Sequence, residues 1–347
     1  MQIMSELQRQ SAPGVQTSTK SFAKVLGSYG FIPIFLAILA IYVIKNQGAI
    51  TWNGVMNILR HSTQVGIIGL GMGLVIITGG IDLSVGSMMA LIGGLSVMVF
   101  NATNNTLLTL LFAIACGSVC GFINGFLVGK VKLPAFIVTL ATMMIFRSIS
   151  QYLLNAVWRQ SIYNMNATLS SYEGFYGFGQ QMVFSVPVVG LVLIGMTLLF
   201  VFVSTSTKFG KTVYAIGSNE KAARLAGINV DWVRVSVFVI TGLLCGISTF
   251  LFMAMNGSVD AARIGDSFEM YAIAAVVIGG ISMSGGKGKL LGVLFGAMSY
   301  FLVDKIIASL RMDALINNAV KGSILLVAVL VQILIPTIRG KLKKAGD

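Results

Sequence analysis

Ten stretches of this chain are too apolar to face water, and most are long enough to cross a bilayer, which takes about 20 residues in a helix. They lie at about 25–45, 62–78, 85–101, 106–128, 134–154, 183–203, 235–255, 270–282, 290–308 and 318–337. The second, third and eighth are the shortest and are rich in glycine. Hydrophobic residues make up 56% of the 347 and charged residues only 10%, against roughly 25% charged in a soluble domain. There is too little polar surface to cover a water-facing exterior. Inside a bilayer every backbone group must find its partner within the protein, so apolar runs of this length become helices. The expected fold is therefore all-α: a polytopic membrane protein of about ten spans, some short and broken.

The charges set the orientation. A net charge of +13 would point to nucleic acid in a soluble protein, but here the basic residues sit in short loops between apolar runs. With a cytoplasmic N-terminus and ten spans, the inner loops collect Arg9, Lys20, Lys24, Lys130, Lys132, Lys208, Lys211, Lys221, Arg224, Arg234, Lys287, Lys289, Arg339, Lys341, Lys343 and Lys344. These are 16 of the 24 basic residues, as the excess of positive charge on cytoplasmic loops requires. An odd number of spans would put the clusters at 208–234 and 339–344 on opposite faces. Both termini are thus expected inside. Residues 1–24 form a polar, disordered tail without the apolar core of a signal peptide, 25–337 the transmembrane domain, and 338–347 a basic tail. The segment 155–182 falls outside and is aromatic and amide-rich. It is either a lid or docking surface for an external partner, or an interfacial loop with its aromatics at headgroup level.

The residues carry little catalytic chemistry. Cys116 and Cys120 lie one helical turn apart, and Cys245 is alone; with His61 the single histidine, no metal site is expected, and the thiols read as small packing residues. "FGKT" at 209–212 resembles the end of a phosphate-binding loop, but Thr205 stands where its earlier glycine is required, and "GGKGK" at 285–289 fails similarly. No residue is assigned a catalytic role. An energy source, if one is needed, belongs to another subunit.

Two motifs interrupt the hydrocarbon. "GGIDLSVG" at 79–86 places an aspartate and a serine where a helix should continue, and "GGISMSGG" at 279–286 answers it. By the span count both approach the inner face in the same direction, so they are not a clean inverted repeat. Gly79, Gly80, Asp82 and Ser84, with Gly279, Gly280 and Ser282, are the candidates for a helix break or a solute path. For Asp82 the plain reading is a cap, accepting from the first amides of the next helix; the second is a polar group lining an aqueous path. The two are compatible. In the cytoplasmic loop 204–234, Ser218 or Asn219 caps a short helix with Glu220 in its first turn, and Gly227 ends it. Its small apolar residues Ala222, Ala223, Leu225 and Ala226 are shaped to enter a partner's groove or to lie on the bilayer surface.

Taken in order, "GGIDLSVGSMMAL" (79–91), "LPAFIVTLATM" (133–143), "AIGSNEKAARLAGI" (215–228), "FEMYAIAAVVIGGISMSGGKGKLLG" (268–292) and the basic tail resemble the permease subunits of bacterial ATP-binding-cassette sugar importers of the ribose, xylose, arabinose and galactoside type. The resemblance runs from about residue 50 to the end. It departs at Met270, Tyr271 and Ile281, where Leu, Asp and Thr are common. Related permeases for branched-chain amino acids and nucleosides share the architecture, but their counterpart of the first motif usually differs from GGIDLSVG. The resemblance implies a bacterial inner-membrane protein that pairs with a second permease, identical or not, binds no cofactor itself, and works with two cytoplasmic ATPases and an external sugar-binding protein. The helix within 218–227 would be the one that couples to the ATPase. From other classes, an ion-driven carrier would place its coupling ion on Asp82, with Glu269 as a second carboxylate, and a passive channel would need no energy source.

Overall fold

The computed structural model describes residues 29–45, 51–158, 162–310 and four residue pairs between 319 and 330. Twelve helices are described in full: α1 (Phe31–Lys45), α2 (Trp52–Ile77), α3 (Val85–Thr103), α4 (Thr106–Gly129), α5 (Ala135–Trp158), α6 (Tyr172–Gln180), α7 (Val188–Ser206), α8 (Lys208–Ser218), α9 (Glu220–Leu225), α10 (Val230–Asn256), α11 (Phe268–Ile278) and α12 (Leu291–Ser309). Seven of them, α2, α3, α4, α5, α7, α10 and α12, are long and apolar enough to cross a membrane, and α1 and α11 are shorter apolar helices. Nine of the ten expected spans therefore have a counterpart in order. The tenth, at 318–337, and both tails lie largely outside the described residues.

Helix starts follow from short polar side chains at the boundaries. Thr51 accepts from the Gly54 amide ahead of α2, Asn105 from Leu108 ahead of α4, and Asn229 from Trp232 ahead of α10, each satisfying a donor that hydrocarbon would leave bare. α2 is a correction: it is not short but runs 26 residues, because its first turns, polar through Asn53, Asn57, Arg60 and His61, continue the helix beyond the apolar run. It is also the central post. In its most apolar stretch 89% of residues are buried, against 28% in α4 and α5, which turn Leu111, Phe122, Phe126, Phe136 and Met144 outward.

α4 and α10 pack antiparallel along a row of glycines. Gly117 faces Gly242, Gly121 faces Phe238, Gly125 faces Val235 and Gly129 faces Asp231; a Cβ on Gly117 or Gly242 would overlap the other's carbonyl oxygen. Close backbone approach of this kind replaces the hydrophobic driving force that lipid removes.

The expected all-helical fold is qualified at the end opposite the two glycine motifs. There two small antiparallel pairings occur, β1 (Ile162–Asn164) with β4 (Ser258–Asp260), and β2 (Met182–Val183) with β3 (Val186–Pro187). Within the described part of the aromatic segment, α6 packs on α10 and α2: Phe175 stacks on Phe250 at 4.6 Å, and Arg60 Nη2 donates to the Gly179 carbonyl at 2.9 Å.

Candidate functional site

The two glycine motifs end their helices in the same way. Gly79 (φ 85°) closes α2, with its amide on Ile76 and the Gly80 amide on Val75. Gly280 (φ 81°) closes α11, with its amide on Val277 and the Ile281 amide on Val276. Both are left-handed terminations that only glycine adopts without strain, offset by one residue between the copies. The register is then recovered: Asp82 Oδ1 accepts from the Ser84 amide at 2.9 Å, and Ser282 Oγ accepts from the Ser284 amide at 3.3 Å. Each is a local side-chain turn. Beyond it the copies diverge. Ser84 opens α3 directly, whereas the second copy runs through Gly285, Gly286 and Gly288, all at positive φ, before α12.

These motifs converge at one end of the molecule. α2 and α11 run parallel, since a Cβ on Gly69 would meet Val293 and Val276, and one on Gly73 would meet Leu290 and Ile281. The Gly286 amide donates to the Ile77 carbonyl at 2.9 Å. Into the same point comes the last turn of α8. A Cβ on Gly217 would overlap the Ile77 carbonyl and stand 2.5 Å from the Gly286 nitrogen, and Tyr214 Oη donates to the Gly288 carbonyl at 2.8 Å. Both motif turns and α8 thus share a knot of backbone contacts. Gly217 and Tyr214 were not singled out by sequence, and α8 itself is a correction to the expected loop 204–234. The signal was present: Thr207 caps Gly210, and Phe209, Val213 and Ile216 recur at helical spacing. "FGKT" lies within α8 and "GGKGK" is bonded into the knot, so neither is a phosphate loop.

Asp82 is completely buried. Its Oδ1 accepts from both the amide (2.9 Å) and the hydroxyl (2.6 Å) of Ser84, and Asn124 of α4 donates to that hydroxyl at 2.7 Å. Among the described residues Asp82 Oδ2 and Asn124 Oδ1 have no hydrogen-bond partner. The expected cap is narrower than the sequence reading: the carboxylate reaches the Ser84 amide alone and not the amides within α3. Asn124 was missed because its contact is made across 40 residues of chain.

The helix expected within 218–227 is α9. Asn219, not Ser218, caps it, accepting from Ala222 at 3.0 Å, while Ser218 is the last residue of α8. Glu220 binds Arg234 at 2.7 Å and Arg224 at 2.9 Å, and Arg224 also binds Asp231 at 2.8 Å. Burial pushes the Glu220 carboxyl up, but the bonds from Arg224 and the charge of Arg234 outweigh it and hold it below its ordinary value. Ala222, Leu225 (91% exposed), Ala226 and Gly227 (φ 80°) form an exposed surface. Ala223 is a correction: it is buried with Ile216 and Val230, because it faces the end of α8 and the start of α10. Cys120 and Cys245 are buried free thiols and Cys116 is half-buried, as packing residues should be. Among the described residues no group of side chains could hold a metal ion.

A family model described as "Branched-chain amino acid transport system / permease component" matches residues 54–330. The chain belongs to this permease family. The ribose import permease of Escherichia coli K12 is 34% identical over 298 residues, 85% of this chain and 90% of that protein. The fructose import permease of Rhizobium meliloti is 37% identical over 243 residues, 70% and 67% of the two chains. The xylose transport system permease of Escherichia coli K12 is 32% identical over 352 residues, 86% and 89% of the two chains. No solved structure matches the chain. As a permease the chain is a transport subunit of the membrane, not an enzyme.

Proposed function

We propose that this permease carries a sugar inward across the bacterial inner membrane, driven by ATP hydrolysed on separate cytoplasmic subunits. The observation that carries the reading is similarity to ribose, fructose and xylose permeases along most of the chain, since the family description itself names another solute. In this reading ten helices cross the membrane with both termini inside, and the end bearing both glycine motifs, α8 and α9 is cytoplasmic. The exposed face of α9 at Ala222, Leu225 and Ala226 docks in the ATPase. The knot joining α8 to Ile77 and Gly286 carries its displacement to both helix breaks. The covered end with α6 receives an external sugar-binding protein, and a second permease copy completes the path. The chain binds no cofactor; ATP stays with the partner.

Cells lacking the chain should lose uptake of at least one of ribose, fructose and xylose, and regain it when the chain is restored. Unchanged uptake of all three removes the sugar reading. For the orientation, a cysteine at Ser171 should react with a membrane-impermeant thiol reagent added outside, and one at Ser218 should not; the reverse pattern inverts the map.

A further inference from the structure

Arg147 lies in the middle of α5. Ala135, at the start of that helix, abuts Gly80 of the first motif, and the step from position 135 to position 147 raises Arg147 by about 18 Å at the helical rise. A bilayer core is about 30 Å thick, so the guanidinium stands near mid-depth. Ser150 Oγ, which donates to the Ala90 carbonyl at 2.9 Å, holds α5 beside α3 at that level. Arg147 Nη1 donates to the carbonyls of Ile264 at 2.7 Å and Ala261 at 3.3 Å, both in the non-helical segment 261–267 that precedes α11. Because α11 has only 11 residues, it begins inside the membrane.

Two carboxylates share this break. Gly265 and Gly86 pack so closely that a Cβ on either would overlap the other's carbonyl oxygen, and one on Gly86 would stand 2.7 Å from Glu269 Oε2. Asp266 is exposed and Glu269 half-buried, with Met270 beside them 52% exposed. Among the described residues Glu269 has no ion-pair partner within bonding distance, although Arg147 and Asp266 are the charges acting on it. Charged groups at this depth do not face hydrocarbon; they line protein or water.

The donor set selects a ligand. One guanidinium with two carboxylates has a net charge of −1, which disfavours an anion, while the guanidinium supplies donors that a simple cation cannot use. A neutral polyol suits both, since each hydroxyl donates to a carboxylate and accepts from a guanidinium. We propose that Arg147, Asp266 and Glu269 form the point at which the sugar touches the permease halfway across the membrane. This rests on the sugar reading above and locates its contact at a residue other than Asp82, which is completely buried.

Two measurements test it in cells carrying the complete importer. The first is labelling of Asp266→Cys by a small hydrophilic thiol reagent, with the unsubstituted chain reporting its native cysteines and Met144→Cys, on the outward apolar side of α5 and 67% exposed, as the comparison. Asp266→Cys should react, more slowly when the transported sugar is present, and Met144→Cys should not. The second is uptake of labelled ribose, fructose and xylose by Glu269→Gln at matched membrane levels. Loss of a charged hydrogen bond should lower uptake by about tenfold or more, unequally among the sugars the unsubstituted chain carries. An Asp266→Cys as unreactive as Met144→Cys overturns the aqueous site. Labelling that sugar never slows, or a Glu269→Gln that keeps normal rates or scales every sugar by one factor, overturns sugar contact. Absence of uptake of all three sugars by the unsubstituted chain overturns the sugar reading itself, while the labelling still decides whether the break is wet.

Discussion

Asp82 is legible as an oddity from sequence because a carboxylate between two apolar runs is costly to bury. Its structural task is also legible, since the glycine pair before it and the serine after it spell a helix end and a helix start. What the sequence hides is Asn124, brought in by the packing of α4 against α3. The carboxylate's paired oxygen fixes the Ser84 amide and hydroxyl, so Asp82→Asn, which keeps an acceptor there, should cost about 1 kcal/mol or less, and transport should fall but persist. Asp82→Leu strands the buried Ser84 amide at about 1–3 kcal/mol and should lose transport or the folded protein. Uptake at matched membrane levels separates these outcomes. An Asn variant as inactive as the Leu variant would mean that ionisation of Asp82, not its acceptor, is what transport needs.

Among the elements, α8 and α9 form an elbow whose two sides do different things. Ala223 turns inward against Ile216 and Val230, and Leu225 turns out. Glutamate at Ala223 would bury a charge without a partner, so Ala223→Glu should reduce the amount of permease in the membrane. Leu225→Glu should leave that amount unchanged and lower uptake by about tenfold or more, as loss of a central apolar contact does. Full uptake by Leu225→Glu would remove α9 from the ATPase interface. The sequence identified the helix and its cap region but could not choose its inner side. In six residues that are mostly small or charged there is no apolar stripe, and the choice is made by α8 and α10. α8 was masked for another reason: with Gly210, Gly217 and two lysines, it resembles loop by composition, and only its cap and its 209, 213, 216 spacing betray it. The ion pairs of Glu220 and Arg224 orient the elbow, but exposed pairs of this kind contribute little stability.

At the scale of the whole molecule, apolar runs located nine apolar helices in order, seven of them long enough to cross a membrane, because bilayer thickness and backbone satisfaction leave a chain few alternatives. They misjudged α2, whose first turns are polar yet helical, and they could not foresee the strands β1 to β4, which are two or three residues long. The positions of the motifs in the sequence do not reveal their meeting. Parallel packing of α2 and α11 brings Ile77 to Gly286, and α8 closes the group through Gly217. In the proposed reading, these contacts carry a push on α9 to both helix breaks. The most direct measurement is sugar accumulation in membrane vesicles that contain the complete importer, with ATP held constant. Accumulation of labelled sugar should continue when an uncoupler collapses the ion gradients and should cease when the partner ATPase is disabled. Accumulation that stops with the uncoupler and survives loss of the ATPase would contradict the account.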